Sequence, residues 1–192
     1  MQRFFYNEKI KIGGLLTQLN STMELFSARH YDADKLLVQL MKDCIQMYKD
    51  LGYSEKESQV QSMQAEWAIS QRGINPYTLV RQITRRNEMT ATVAFKILQA
   101  IEILLRNDYV AGDEKIGQAS DLISQIIVAA LQANLLTDVE IKKIKTQKEI
   151  ESTWKKLGSD SNLLLGQKRV LLLVSRFDAL IIFDDLLTPL KK

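Results

Sequence analysis

Cysteine occurs once, histidine once and proline twice in 192 residues, and glycine only eight times. A lone Cys44 closes no intrachain disulfide. With no Cys-x-x-Cys pair and no second histidine, neither Cys44 nor His30 completes a zinc site, so no metal ligands are assigned. The glycines never fall into G-x-G-x-x-G or P-loop spacing, which leaves no nucleotide cradle of either kind and no cofactor site. The most apolar run, VLLLVSRFDALIIFDDLL from Val170 to Leu187, carries Arg176, Asp178, Asp184 and Asp185 and reads as a buried helix of a soluble protein rather than a membrane span. Those aspartates have no second acidic motif to pair with and read as a solvated helix flank. The opening MQRFFYNEKIKIGG has no apolar run of signal-peptide length, so a reducing, cytoplasmic setting is expected. No catalytic constellation emerges, and the chain reads as a non-enzyme.

What is abundant is Leu, Ile, Gln, Lys and Ala, in a chain that is 46% hydrophobic and 26% charged. That is globular composition with strong helix preference. The expected fold is all-α, about eight helices in two packed subdomains, residues 1–73 and 74–192, arranged as a bundle or orthogonal array. A first helix over Glu8 to Ala28 is followed by one in which Leu37, Leu40, Cys44, Met47 and Leu51 form a core-facing seam. There the Cys44 thiol is a small hydrophobe rather than a nucleophile. Gly52 stops that helix, and SEKE, Ser54 to Glu57, reads as a capping box opening a third with inner face Val60, Met63 and Trp67. Further on, a helix from Thr90 to about Asp108 shows Phe95 and Ile103 off its main face, Asp113 caps a successor, and IIVAAL, Ile126 to Leu131, is apolar all round and expected mid-core. TDVE, Thr137 to Glu140, is a capping box for a helix running towards Leu157, and a final long helix ends before Pro189.

The net charge is only +3, so a uniformly basic nucleic-acid surface is excluded and distribution decides. Residues 1–75 balance at nine basic against nine acidic, and the excess lies beyond, at seventeen against fourteen. Two clusters stand out. In LVRQITRRNEMT, with Asn75 as N-cap and Pro76 at the first helical position, a helix places Leu79, Val80 and Ile83 on one stripe. Arg81 and Arg85 then project opposite it, while Arg86 lies at its edge. After Thr137, Lys142, Lys143, Lys145, Lys148, Lys155 and Lys156 face four acids, with Lys142, Lys145 and Lys156 opposite a side formed by Val139, Ile150, Trp154 and Leu157. Each cluster reads either as a solvated face, with a salt bridge to another helix as a further option for the arginines, or as a phosphate-contacting surface, since guanidinium and ammonium groups both pair with phosphate oxygens. The candidate phosphate-contacting residues are Arg81, Arg85, Arg86, Lys142, Lys143, Lys145 and Lys148.

In overall profile the chain resembles the small all-helical RNA-silencing suppressors of plant closteroviruses: similar length, the aromatic opening MQRFFYN, two helical subdomains, and basic faces without enzyme motifs. The resemblance implies a cytoplasmic viral protein that oligomerises into a ring and binds RNA with little sequence preference. A ring would multiply one basic face per subunit along a common path. The alternative is a helical protein-interaction or assembly adaptor with no nucleic-acid role, its contacts made by the last helix, Phe95 and Ile103. A stable dimer or larger symmetric assembly is expected as well, because the apolar residues on two sides of the Thr90 helix and in the last helix exceed what a two-layer bundle buries.

Overall fold

The computed structural model describes residues 4–82, 84 and 86–191, and it is all-α. Eight α-helices occur among the described residues: α1 Phe5–Ser27, α2 Ala33–Leu51, α3 Ser54–Gln71, α4 Arg86–Gln132, α5 Asp138–Lys143, α6 Gln147–Leu157, α7 Ser161–Leu173 and α8 Arg176–Leu187, closed by a 3-10 turn at Thr188–Lys191. No helix among the described residues is long and apolar enough to cross a membrane. The chain divides into two compact units, Ile10–Tyr109 and Met1–Lys9 with Val110–Lys192. The expected division at 73/74 falls inside the first of these.

In the Ile10–Tyr109 unit the α2 seam is buried as its spacing implied. Leu37, Leu40 and Cys44 have no exposed surface, and they pack with Leu19, Val60 and Ile97 in one core. Each such aliphatic side chain contributes about 1.5–3 kcal/mol by leaving water. Gly52 adopts φ +74, the left-handed conformation that ends α2, and its N–H donates to Lys49 O while the Tyr53 N–H donates to Tyr48 O. That tight connection changes the start of α3. The Glu57 N–H donates to Tyr53 O, so Tyr53 is the N-cap, Ser54 is already helical, and the expected Ser54–Glu57 capping box does not form. Phe95 and Ile103 are exposed, with the Phe95 ring 6.3 Å from Phe26.

The expected arginine helix is absent among the described residues. Asn75 Oδ1 accepts from the Tyr77 and Thr78 N–H groups, as an N-cap does, and the Leu79 N–H donates to Asn75 O to close a single turn. Leu79 then takes φ +57, which a helix does not tolerate. The backbone instead turns back on itself: the Asn75 N–H donates to Val80 O, the Gln82 N–H to Gly73 O, and Ile74 bridges Arg81. Asn75 thus caps one turn as its type suggests, but the chain beyond that turn pairs across a hairpin-like loop rather than propagating a helix. Helix α4 starts only at Arg86.

In the other unit, α4 runs through Asp113 without a break, and Asp113 pairs with Lys9 instead of capping. Ile126, Ile127 and Ala130 are buried but Val128 and Ala129 are exposed, so the IIVAAL stretch has one core face, not an all-round one. Trp154 and Phe183 meet edge to face at 5.2 Å in the centre of this core, and buried Gln167 donates to Trp154 O at 2.7 Å. Gly166 lets α7 approach α4: a Cβ there would lie 2.9 Å from Ile126 Cγ1. The expected final helix is two. Val174 is extended, and Ser175 caps α8 by accepting from the Asp178 N–H. Asp178 is no solvated flank residue, because it is fully buried and its carboxylate accepts from the N–H groups of Phe5 and Tyr6 and from the Ser175 hydroxyl. It therefore caps the first turn of α1, whose free N–H groups need such a partner.

Candidate nucleic-acid interface

Between Thr137 and Leu157 the chain forms two short capped helices rather than one. Thr137 Oγ1 accepts from the Glu140 N–H, and the Glu140 carboxylate accepts in return from the Thr137 N–H. Nine residues on, Thr146 and Glu149 repeat the motif. The second box, TQKE, satisfies the same S/T-x-x-E rule, but the surrounding helical periodicity masks it in the sequence. Buried Ile141, Ile144, Trp154 and Leu157 anchor the segment. The break removes the single wheel on which the lysines were to form one face, since Lys145 lies in the connection between α5 and α6.

The capping arrangement governs the local charge. Glu149 accepts from the Lys145 and Thr146 N–H groups, both at 2.8 Å, and these backbone donors hold its carboxyl below the ordinary glutamate value. Glu140 is lowered chiefly by the ammonium of Lys156, at 2.6 Å, with the Thr137 backbone in support. The Glu140 and Glu149 carboxylates are thus engaged by backbone N–H groups and by Lys156, and Glu149 also attracts Lys145 electrostatically. Lys142, Lys143, Lys145, Lys148 and Lys155 are exposed, and none makes an ion pair among the described residues. Lys143 and Lys156 also border an open cavity of about 250 Å³ in which Ser152 and Thr153 offer hydroxyls.

The arginines are placed differently. Arg81 is exposed on the loop, Arg86 donates from Nη2 to Gln71 O at the start of α4, and Arg85 lies outside the described residues. Arg81 and Arg86 belong to the Ile10–Tyr109 unit and the lysines to the other. So Lys142, Lys143, Lys145 and Lys148 are brought together on one capped segment, joined by Lys155. The helix face expected to group the arginines is absent among the described residues.

Elsewhere, His30 sits in an exposed loop, where Nδ1 accepts from the Asp32 N–H at 3.3 Å and the ring lies 4.3 Å from Tyr31. Burial pushes the Cys44 thiol up to about 12, so no thiolate forms near neutral pH. Among the described residues no cluster of His, Cys, Asp or Glu is placed to hold a metal ion. No family model, curated protein or solved structure matches the chain.

Proposed function

We propose that this chain is a non-enzymatic RNA-binding protein that holds phosphates through Lys142, Lys143, Lys145, Lys148 and Lys155, with little regard to sequence. One observation carries the reading: five exposed lysines without ion pairs among the described residues, on a segment where Glu140 and Glu149 are taken up in caps. An ammonium group is a point charge that contacts phosphate without reading a base, so affinity comes without sequence information. Arg81 is a secondary contact. The biological setting suggested by the family resemblance is suppression of RNA silencing in the cytoplasm.

One chain offers few contacts, and the working form in this reading is a homo-oligomer. The support is α7, where Leu165 and Leu172 are 60% and 85% exposed with Lys168 and Arg169 between them. A stripe of that kind on a helix is unusual for a surface that meets only water. The same stripe is what favours the adaptor reading. Binding of arbitrary duplex RNA at low salt separates the two: the RNA reading expects steeply salt-dependent binding that is similar across sequences, and the adaptor reading expects none. Light scattering at tens of micromolar should give a dimer or larger, and a monomer would remove the oligomer from the proposal.

A further inference from the structure

On the lysine-bearing unit, α8 and the start of α6 enclose an open groove of about 290 Å³. Its floor is apolar, formed by Ile150, Leu180 and Ile181, and Phe177 stands in its wall with 48% of its surface exposed. The Phe177 ring is steadied edge to face by Phe4 at 5.8 Å. Lys145 of the α5–α6 connection and Gln147 of α6 line it together with Asp184 and Asp185 of α8. The two carboxylates are not equivalent. Asp184 is paired with Lys191 at 2.7 Å, whereas Asp185 is exposed and, among the described residues, takes only a long bond from the Tyr6 hydroxyl, at 3.4 Å. A carboxylate has about four acceptor sites, so Asp185 retains most of its capacity.

An exposed ring over an apolar floor, a carboxylate with spare acceptors and a lysine without an ion pair make three different demands of one ligand. A cationic side chain would satisfy Asp185 and the ring but would meet Lys145 with like charge. A free phosphate would satisfy Lys145 alone. A nucleotide answers all three: its base stacks on Phe177, its ring N–H and exocyclic amine donate to Asp185, and its phosphate meets Lys145. The volume lies at the lower end of ligand sites, room for one base and not a longer stack. The geometry points to this groove as a subsite for a single unpaired purine base with donors on its Watson–Crick edge, guanine before adenine, on an RNA held by the neighbouring lysines. It deepens the RNA reading and rests on it for the role of Lys145. Uracil, with one N–H donor between two carbonyl oxygens, presents acceptors to the carboxylate and is disfavoured there.

The test titrates the full chain with guanosine 5′-monophosphate, uridine 5′-monophosphate, inorganic phosphate and a blocked arginine amide, following amide NMR shifts. Guanosine monophosphate should bind at least about fivefold more tightly than uridine monophosphate, with shifts centred on Lys145, Phe177 and Asp185. Asp185→Ala should bring the ratio towards one, weakening guanosine binding without weakening uridine binding. Phe177→Ala should weaken both by about tenfold, the loss expected of one stacked base. If Phe177→Ala fails to fold, Asp185→Ala at an exposed position still decides. Equal binding of the two nucleotides, a ratio unmoved by Asp185→Ala, or tighter binding of the arginine amide would overturn the subsite. Duplex RNA binding without nucleotide discrimination also overturns it and leaves the lysine reading standing. Discrimination without duplex binding supports the groove and overturns the lysine reading.

Discussion

The arginine-rich loop after Gly73 and the lysine-rich segment after Thr137 look alike in sequence: an N-cap signal, then a run of cations with few acids. Folded, they differ in where the backbone hydrogen bonds go. Around Arg81 the backbone pairs with itself across a loop, Leu79 sits at positive φ, and Arg86 is tied to the Gln71 carbonyl. Around Lys145 the backbone N–H groups are met by Thr146 and Glu149, so Glu149 serves the cap and five exposed lysines make no ion pair among the described residues. A cluster of cations in a sequence therefore says little about a binding surface until the partners of its backbone and of its acids are known.

The largest effect is expected at Asp178, which anchors the unit that carries the lysines. Asp178→Ala leaves the Phe5 and Tyr6 N–H groups and the Ser175 hydroxyl without their acceptor, and should cost roughly 3 kcal/mol in chemical denaturation. Hydrogen exchange should localise the loosening to the first turn of α1 and to α8 while Cys44, in the other unit, stays protected. A loss below about 0.5 kcal/mol would mean that the buried carboxylate is not a structural cap.

A smaller effect belongs to the arginine-bearing unit. Cys44→Ser places a hydroxyl in an apolar seam, at about 1.5 kcal/mol, without changing RNA affinity. With its pKa raised to about 12, the native thiol should resist an aromatic disulfide reagent at about pH 8 and react only after unfolding. Rapid labelling of the folded chain would count against this placement.

Thr146→Ala sharpens the comparison, because it removes a cap and no charge. About 1 kcal/mol of local stability should be lost, and if pre-ordering of the lysines matters RNA affinity should fall with it. Arg81→Ala should leave that stability in place and lower RNA affinity by one phosphate contact at most. The smallest effect is in pH. Both Glu140 and Glu149 are held below the ordinary glutamate value, so their stabilisation is present above that value and is lost as the pH falls through the lowered folded one. Carboxyl NMR titration should find both midpoints below those of unengaged glutamates, with α5 and α6 fraying only in acid.

Helix existence is largely legible in the sequence, because the α2 seam and the Thr137 box are local patterns that the core reinforces. Helix continuity is not. Asp113 looks like a cap but pairs with Lys9 inside α4, while Thr146 and Ser175, each able to sit inside a helix, instead break one. Asp178 escapes a sequence reading for a related reason: its partners are the N–H groups of residues 5 and 6, 173 and 172 positions away, and no local pattern announces them. The lysines are visible as a cluster, but a shared helix face is not what groups them. The groove beside them joins Lys145 to Phe177 and Asp185 across two helix breaks that composition and periodicity do not show.

The most direct measurement is the salt dependence of binding to a fully paired duplex RNA, whose bases are closed to the groove, so that phosphate contacts are read alone. Wild type, a Lys142→Ala/Lys143→Ala/Lys148→Ala/Lys155→Ala variant and Arg81→Ala are compared. The lysine variant should lose affinity at low salt, and its slope of log K against log salt should flatten by somewhat under one unit for each contact removed, with Tm nearly unchanged because exposed charges stabilise little. Arg81→Ala should flatten it by one contact at most. Absence of wild-type binding at low salt, or an unchanged slope in the lysine variant, would contradict the assignment of these lysines to phosphate.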